Sequence, residues 1–404
     1  MNSKKAPEIR FKGFTDDWEQ RKLGDIYTER NEPGNANLPI LSVSIHSGVS
    51  DGELSEDDLG KNVRRSEDKT TYKHVYDGDL IFNMMRAWQG AIGVAKGEGM
   101  ISPAYISAIP NDEVYPPFMD FLLKRADIIN QINNLSYGVT DFRKRLYWDS
   151  FVRVKCMLPS VDEQKKIANT FIKLDRAIAL HQSKLERLKI VKKSMLEKMF
   201  PRKGQKVPEI RFSGFFDDWE QRKLGDLCDQ LTIMINPQAT PNKHYLEYSM
   251  PAYDAQKKPD YVMGSTMNSA RKVIDRPCLL INKLNVRKKR IWYIENPGEN
   301  AVCSAEFIPI YSESVNLTFL AYAVTDNSFT AYLEDCSSGS SNSQKRVMPE
   351  TIMNANIDVP SPAEQKEIGS FFFKLDRAIA LHQSKLEKMK KVKASMLEKM
   401  FPKG

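Results

Sequence analysis

The chain has 404 residues, 41% of them hydrophobic and 28% charged, with a net charge of +8. That length is long for one core, and neither a run of eighteen apolar residues nor an apolar N-terminal segment is present, so two domains of a soluble, unexported cytoplasmic protein are expected. Cys156, Cys228, Cys278, Cys303 and Cys336 are odd in number and scattered without a CxxC pair, which argues against a disulfide framework or a zinc site.

The chain opens on Pro7–Asp25, PEIRFKGFTDDWEQRKLGD, and returns to it at Pro208–Asp226, identical at 17 of 19 positions at an offset of 201. The first copy leads into Ile26–Leu158, where Leu38–Ser44 and Asp79–Met84 read as strands, Pro117–Asn133 as a helix and Ser150–Leu158 as a strand. Ser160-Val-Asp-Glu163 has the spacing of a capping box, and Phe200-Pro201 ends the periodic pattern that follows. A helix over Glu163–Phe200 would be about 57 Å long. Lys173–Pro201 recurs as Lys374–Pro402 at 25 of 29 positions, with the same offset.

Along this helix Ile167, Phe171, Leu174, Ile178, Leu185, Leu188, Met195 and Met199 alternate by three and four. The second copy presents Ile368, Phe372, Leu375, Ile379, Leu386, Met389, Met396 and Met400. Each stripe needs a partner, and the other copy is the nearest. His181 and His382 fall on the seam, as do Lys192 and Lys393, beside which Val191 and Val392 can take over the stripe. The histidines are read as partly wet packing residues that favour one register.

In the second insert, Leu227–Val359, extended segments are expected at Cys278–Ile281, Arg290–Ile294, Cys303–Tyr311 and Ile357–Val359, and a helix at Val315–Asp326. Between the two inserts only traces of the repeat survive, such as Gly138 with Gly339 and Lys144-Arg145 with Lys345-Arg346. They read as diverged copies of one mixed α/β fold. Charge follows the repeat: Val161–Gly204 holds 12 Lys/Arg against 5 Asp/Glu, Ser361–Gly404 holds 10 against 5, and the remainder is net −4.

Catalytic constellations are missing. Tyr115-Pro116-Pro117-Phe118 has tyrosine where an amino-methyltransferase needs Asn or Asp, and reads as a turn into a helix. Gly90, Gly93, Gly97 and Gly99 lack Rossmann spacing, and no phosphate loop occurs. Glu163-Gln-Lys165 and Glu364-Gln-Lys366 imitate part of a nuclease motif but are explained by capping. His46, His74 and His244 have no metal-ligand pattern around them.

Residues able to read nucleic acid are better represented. In the first insert Asn83, Arg86, Trp88 and Gln89 could address base edges, with Lys61, Arg64, Arg65, Arg143, Lys144 and Arg145 on phosphates. In the second, Asn282, Lys283, Asn285, Arg287, Lys288, Lys289 and Arg290 fill a similar place, joined by Gln344, Lys345 and Arg346. The competing reading makes each of these a solvated loop residue.

The repeated FxGFxxDWEQRKLGD opening, the DGDLIFNMMRAWQGAIG and SPAY segments, and the twice-used EQ…FxKLDRAIALHQSKLE…SMLEKMFP helix together resemble the specificity subunits of type I restriction–modification systems, the HsdS family. The resemblance implies an α+β fold with a pseudo-two-fold internal repeat: target recognition domains over 1–160 and 205–360, and repeated helices over 161–204 and 361–404 packed as an antiparallel coiled coil. It implies DNA recognition without catalysis, each domain reading half of an asymmetric bipartite duplex site while the helices fix the spacer. Partners implied are two modification subunits that methylate adenine with S-adenosylmethionine, and restriction subunits that use ATP and Mg. No cofactor, metal or membrane is implied for this chain itself. The second insert departs from the first, with Asp275-Arg-Pro-Cys and Cys303-Ser-Ala-Glu306 in place of DGDL and SPAY, so base contacts do not transfer between them. Two other classes compete with this one: an adaptor whose basic helices bind protein while the inserts bind protein or glycan, and an enzyme with an unfamiliar site.

Overall fold

Two helices of 38 residues each, Val161–Lys198 and Pro362–Lys399, dominate the computed structural model. It describes residues 6–35, 37–45, 48–50, 52, 71–138, 144–202, 204–341 and 343–402. His46, Lys61, Arg64, Arg65 and Arg143 lie outside the described residues. The structure separates into two units, the first formed by Met1–Leu180 with Leu386–Gly404 and the second by His181–Lys385. Each long helix is thus shared between the units.

Within the first unit, the start of the first long helix meets the end of the second. Ile167, Ala168 and Phe171 are buried in one core with Met400 and Phe401, and Phe401 lies 5.9 Å from Trp18 and 5.5 Å from Phe118. Lys393 pairs with Asp175 at 2.5 Å, so the two segments run antiparallel. The second unit repeats this: Met199 and Phe200 share a core with Ile368 and Phe372, Lys192 pairs with Asp376 at 2.5 Å, and Phe200 lies 5.9 Å from Trp219. Val191 and Val392 do not take over the stripe. Both are 43% exposed, and the half-buried lysines beside them occupy the inner positions. Each lysine ends on a carboxylate, with Lys192 Nζ 5.5 Å from the Tyr322 ring and Lys393 Nζ 5.7 Å from that of Phe121, so both charges are paired at the seam.

The serine caps form as expected, with the Glu163 and Glu364 amides 3.4 Å from Ser160 Oγ and Ser361 Oγ. The glutamate carboxylates go elsewhere. Arg10 donates Nε and Nη2 to the two Glu163 oxygens, both at 2.7 Å, and Arg211 does the same to Glu364. These bonds pin the repeated PEIR segment to the helix start, and they raise the already high pKa of both guanidinium groups. Gln164 Oε1 accepts the Tyr115 amide at 2.8 Å and Gln365 Oε1 that of Asn316 at 3.0 Å, so the EQ motif fastens both the opening segment and the insert to each long helix.

Each insert is built on one four-stranded antiparallel sheet. In the first unit the order is Tyr27–Arg30, Tyr105–Pro110, Leu80–Asn83, Ile92–Val94; in the second it is Asp229–Gln230, Phe307–Tyr311, Cys278–Asn282, Ile291–Ile294. The repeated Glu19–Lys22 and Glu220–Lys223 strands pair with Lys155–Leu158 and Asn356–Val359. The second unit adds a five-stranded sheet through His244–Tyr248, Asp260–Met263 and Ala301–Cys303 that the alternation of its sequence does not announce.

Local differences from the sequence reading have identifiable causes. The helix expected over Pro117–Asn133 is two, Pro116–Leu122 and Ala126–Leu135, because Arg125 leaves the helical region. Its guanidinium donates to Leu397 O at 2.9 Å and Pro402 O at 3.3 Å, satisfying free carbonyls at the end of the second long helix. Trp148–Phe151 is helical before the strand begins at Lys155. The extended run expected at Cys303–Tyr311 is divided by a turn in which Phe307 N donates to Ser304 O.

No helix among the described residues is long and apolar enough to cross a membrane.

Candidate nucleic-acid interface

The site begins with an asparagine at the end of a central strand. In the first unit Asn83 closes Leu80–Asn83, and its Oδ1 accepts the Met85 amide at 3.0 Å. The chain then makes a short 3-10 turn, Ala87–Gln89, ended by Gly90 at φ 102°, a left-handed conformation that glycine adopts without strain. Met84 ties this loop to two others: its amide donates to Ala104 O at 3.2 Å and its carbonyl accepts Leu146 N at 2.9 Å. Tyr137 and Arg145 exchange both backbone bonds, at 3.0 and 2.9 Å, and close the third loop. Segments near residues 84, 104 and 145 therefore form one surface.

The second unit builds the same frame from different residues. Asn282 ends Cys278–Asn282 and its Nδ2 donates to Leu284 O. Lys283 takes the place of Met84, with its amide on Glu306 O at 2.8 Å and its carbonyl accepting Val347 N at 3.1 Å. Ser338 and Arg346 exchange backbone bonds at 3.0 and 2.8 Å, as Tyr137 and Arg145 do 201 residues earlier. Asn285 and Lys289 have φ of 53° and 44°, left-handed conformations held inside this loop.

The structure gives the sequence-selected residues distinct tasks. Asn83 and Asn282 are buried and hold the turns, so their amides do not face a ligand. Arg290 is buried and bidentate to Asp254 at 2.8 and 2.6 Å, a pairing that raises the arginine pKa and lowers that of Asp254. Lys289 donates to Thr325 O and Asn327 Oδ1, both at 2.7 Å, and burial lowers its pKa. Trp88 donates its indole N–H to Met85 O at 3.0 Å, with Lys144 Nζ 5.8 Å from its ring and 2.7 Å from Asn133 Oδ1. Arg287 and Arg346 are exposed but paired with Glu334 and Glu306. Among the described residues, Arg86, Gln89 and Arg145 in the first unit and Lys288 and Gln344 in the second are exposed without a hydrogen-bonded side-chain partner. Lys283, Asn285 and Lys345 lie half-buried on the same frame.

Sequence reasoning missed Met85, Tyr137, Tyr147 and Met348 on this rim. Met85, Tyr137 and Met348 are 44%, 53% and 64% exposed. The offset of 201 contained the clue, since Tyr147 and Met348 follow the matched Lys-Arg pairs by the same number of residues.

His74 lies 2.8 Å from Glu98 Oε1 and stacks on Tyr76, and His244 stacks on Tyr261 with ring centroids 4.8 Å apart. Burial pushes the Cys156, Cys228 and Cys303 thiols up to about 12, away from the thiolate form a nucleophile or metal ligand requires. Among the described residues no group of three or more His, Cys, Asp or Glu is placed to hold a metal ion.

A family model described as "Type I restriction modification DNA specificity domain" matches residues 15–189 and again 216–391. The chain belongs to this family. Each match takes in one insert and most of a long helix, so the specificity-domain unit is the repeat found in the sequence. Among curated relatives, the type I restriction enzyme MjaVIII specificity subunit of Methanocaldococcus jannaschii is 21% identical over 409 residues, covering 95% of this chain and 91% of that protein. The MjaIX specificity subunit of the same organism is 23% identical over 231 residues, 52% of this chain. The chain spans about half the length of the MjaX and MjaIX specificity subunits in these matches, 56% and 51%. The crystal structure of a type I restriction–modification S subunit from M. genitalium superposes with a TM-score of 0.59 at 12% identity, covering 99% of this chain and all of that one, which shows a shared fold.

Proposed function

We propose that this chain is the DNA sequence-specificity subunit of a type I restriction–modification complex and performs no catalysis itself. Each unit reads one half of a bipartite duplex site through its three-loop rim. One observation carries the reading: a common backbone frame presents Arg86, Gln89 and Arg145 in one unit and Lys288 and Gln344 in the other. Arg and Gln can address guanine and adenine edges, while Lys and Arg engage phosphates. Unlike side chains on like frames give unlike half-sites, hence an asymmetric target.

The long helices belong to both units, so they are the elements that set the unread spacer. Their repeated basic faces would receive two modification subunits, which bring S-adenosylmethionine and methylate adenine after flipping it from the stack. Restriction subunits with ATP and Mg complete the assembly. The specificity-subunit names of the relatives, across 91% of the MjaVIII protein, support this assignment.

The test is to map methylated adenines by single-molecule sequencing in cells with and without the gene. A split motif that disappears with the gene is expected. An unchanged methylation map, together with failure of the purified chain to select any duplex from a random pool, would favour the protein-binding adaptor.

A further inference from the structure

The first unit's rim carries apolar groups that the shared frame does not require. The Met85 backbone is fixed on both sides, its amide on Asn83 Oδ1 and its carbonyl on the Trp88 indole, each at 3.0 Å, yet its side chain is 44% exposed. Tyr137 has both backbone groups bonded to Arg145, is 53% exposed, and stacks on Tyr147 with centroids 4.9 Å apart and planes at 30°. Both pieces meet at Met84, whose carbonyl accepts the Leu146 amide. At the positions of Tyr137 and Tyr147, the second unit has Ser338 and Met348 on the same backbone bridge. At this bridge the aromatic step is therefore a property of the first unit alone.

Arg145 pairs with Tyr137 across the bridge, Lys144 precedes it, and Arg86 follows Met85 in the loop tied to the same frame at Met84, with Asp149 as the neighbouring carboxylate. A rigid planar step with an apolar tip, inside a mainly cationic rim, suits the face of a nucleobase whose phosphates the cations hold. We propose that Tyr137, backed by Tyr147 and flanked by Met85, is a stacking wedge that unstacks a base step in the half-site read by the first unit. The DNA on that side is kinked, while the second unit reads its half without an aromatic step. This rests on the DNA-reading function proposed above.

The experiment uses the full chain and a duplex it selects from a random pool, with 2-aminopurine placed in turn at each adenine. Binding should raise the fluorescence at a position within one half-site only. The double substitution Tyr137→Ser with Tyr147→Met gives the first unit residues that the second already carries in this frame. It should return the signal to background and weaken binding roughly ten- to hundredfold, the scale of one lost base–aromatic stack. Tyr137→Phe should keep both signal and affinity, because stacking does not need the hydroxyl, and Met85→Ala should reduce the signal. Absence of any bright position, or a double variant with native signal and affinity, would overturn the wedge while leaving DNA reading intact. If no duplex is selected at all, the DNA reading fails first and the wedge with it.

Discussion

Arg10 and Glu163 show how much one residue pair decides. Glu163 is fully buried and the Arg10 side chain is 15% exposed, and the two join the chain's opening segment to the start of a helix 153 residues later. From the sequence, Glu163 reads as half of a capping box, since a cap is local and its spacing is visible. The arginine partner is distant in sequence and carries no periodic mark. A buried carboxylate stripped of its partner keeps the cost of desolvation, so Arg10→Ala should destabilise the first unit by about 3 kcal/mol. Urea unfolding of the full chain should show that loss, and Arg10→Met with Glu163→Met should restore much of it. The matching pair Arg211–Glu364 predicts the same result in the second unit.

At the scale of elements, the long helices differ where they receive the inserts. A Cβ on Gly369 would lie 2.4 Å from Thr318 Oγ1 and 2.7 Å from the Phe319 amide, so the helix Leu317–Ala323 approaches closer than alanine permits. The first copy has Ala168 at this point, and Pro116-Pro117 opens the opposing helix. Gly369→Ala should therefore cost about 1–3 kcal/mol by overpacking, whereas Ala168→Gly should cost about 1 kcal/mol through helix propensity. Thermal unfolding of the two variants would compare them directly.

The helix seam also predicts a pH dependence. His181 and His382 face each other with Nδ1 atoms 2.8 Å apart, in one unit with Lys184 and Lys385 nearby. Desolvation, then Lys184, His181 and Lys385, lowers the His382 pKa below 6.5. The folded seam thus binds a proton less readily than the unfolded chain. Its contribution is complete above that value and is lost as the pH falls. Amide exchange across residues 181–192 and 371–385, corrected for the intrinsic rate, should accelerate between pH 8 and pH 5.5, and His382→Asn should flatten the response.

For the molecule as a whole, the repeat makes modularity testable. The inserts Ile26–Leu158 and Leu227–Val359 have equal length, the same strand order in their four-stranded sheets and the same three-loop frame. Replacing the second by a copy of the first should convert the selected DNA from an asymmetric to a palindromic bipartite motif. Sequencing the duplexes bound by the chimaera would check it, and survival of the original motif would contradict independent reading. Charge reversal on the helices needs care in choosing residues. Lys192 and Lys189 already pair with Asp376 and Glu186, so only a part of the basic surface is open to phosphates or partner subunits.

The frame is legible in one dimension: the duplicated opening, the capped long helices, their seam and the matched inserts. Repeats and heptads are local or periodic, and they survive in one dimension. Which polar residues face outward was decided only by tertiary structure. Asn83, Asn282, Lys289 and Arg290 read as base or phosphate contacts, yet the two asparagines are consumed by their own turns, Lys289 by the Thr325 carbonyl and Arg290 by the Asp254 carboxylate, both brought in by other segments. Composition places donors in a loop, but for the lysine and the arginine freedom depends on partners 36 residues away, and for the asparagines on the turn the backbone takes. The exposed Met85 and Tyr137 escaped for the converse reason: apolar residues read as core until the fold leaves them outside it.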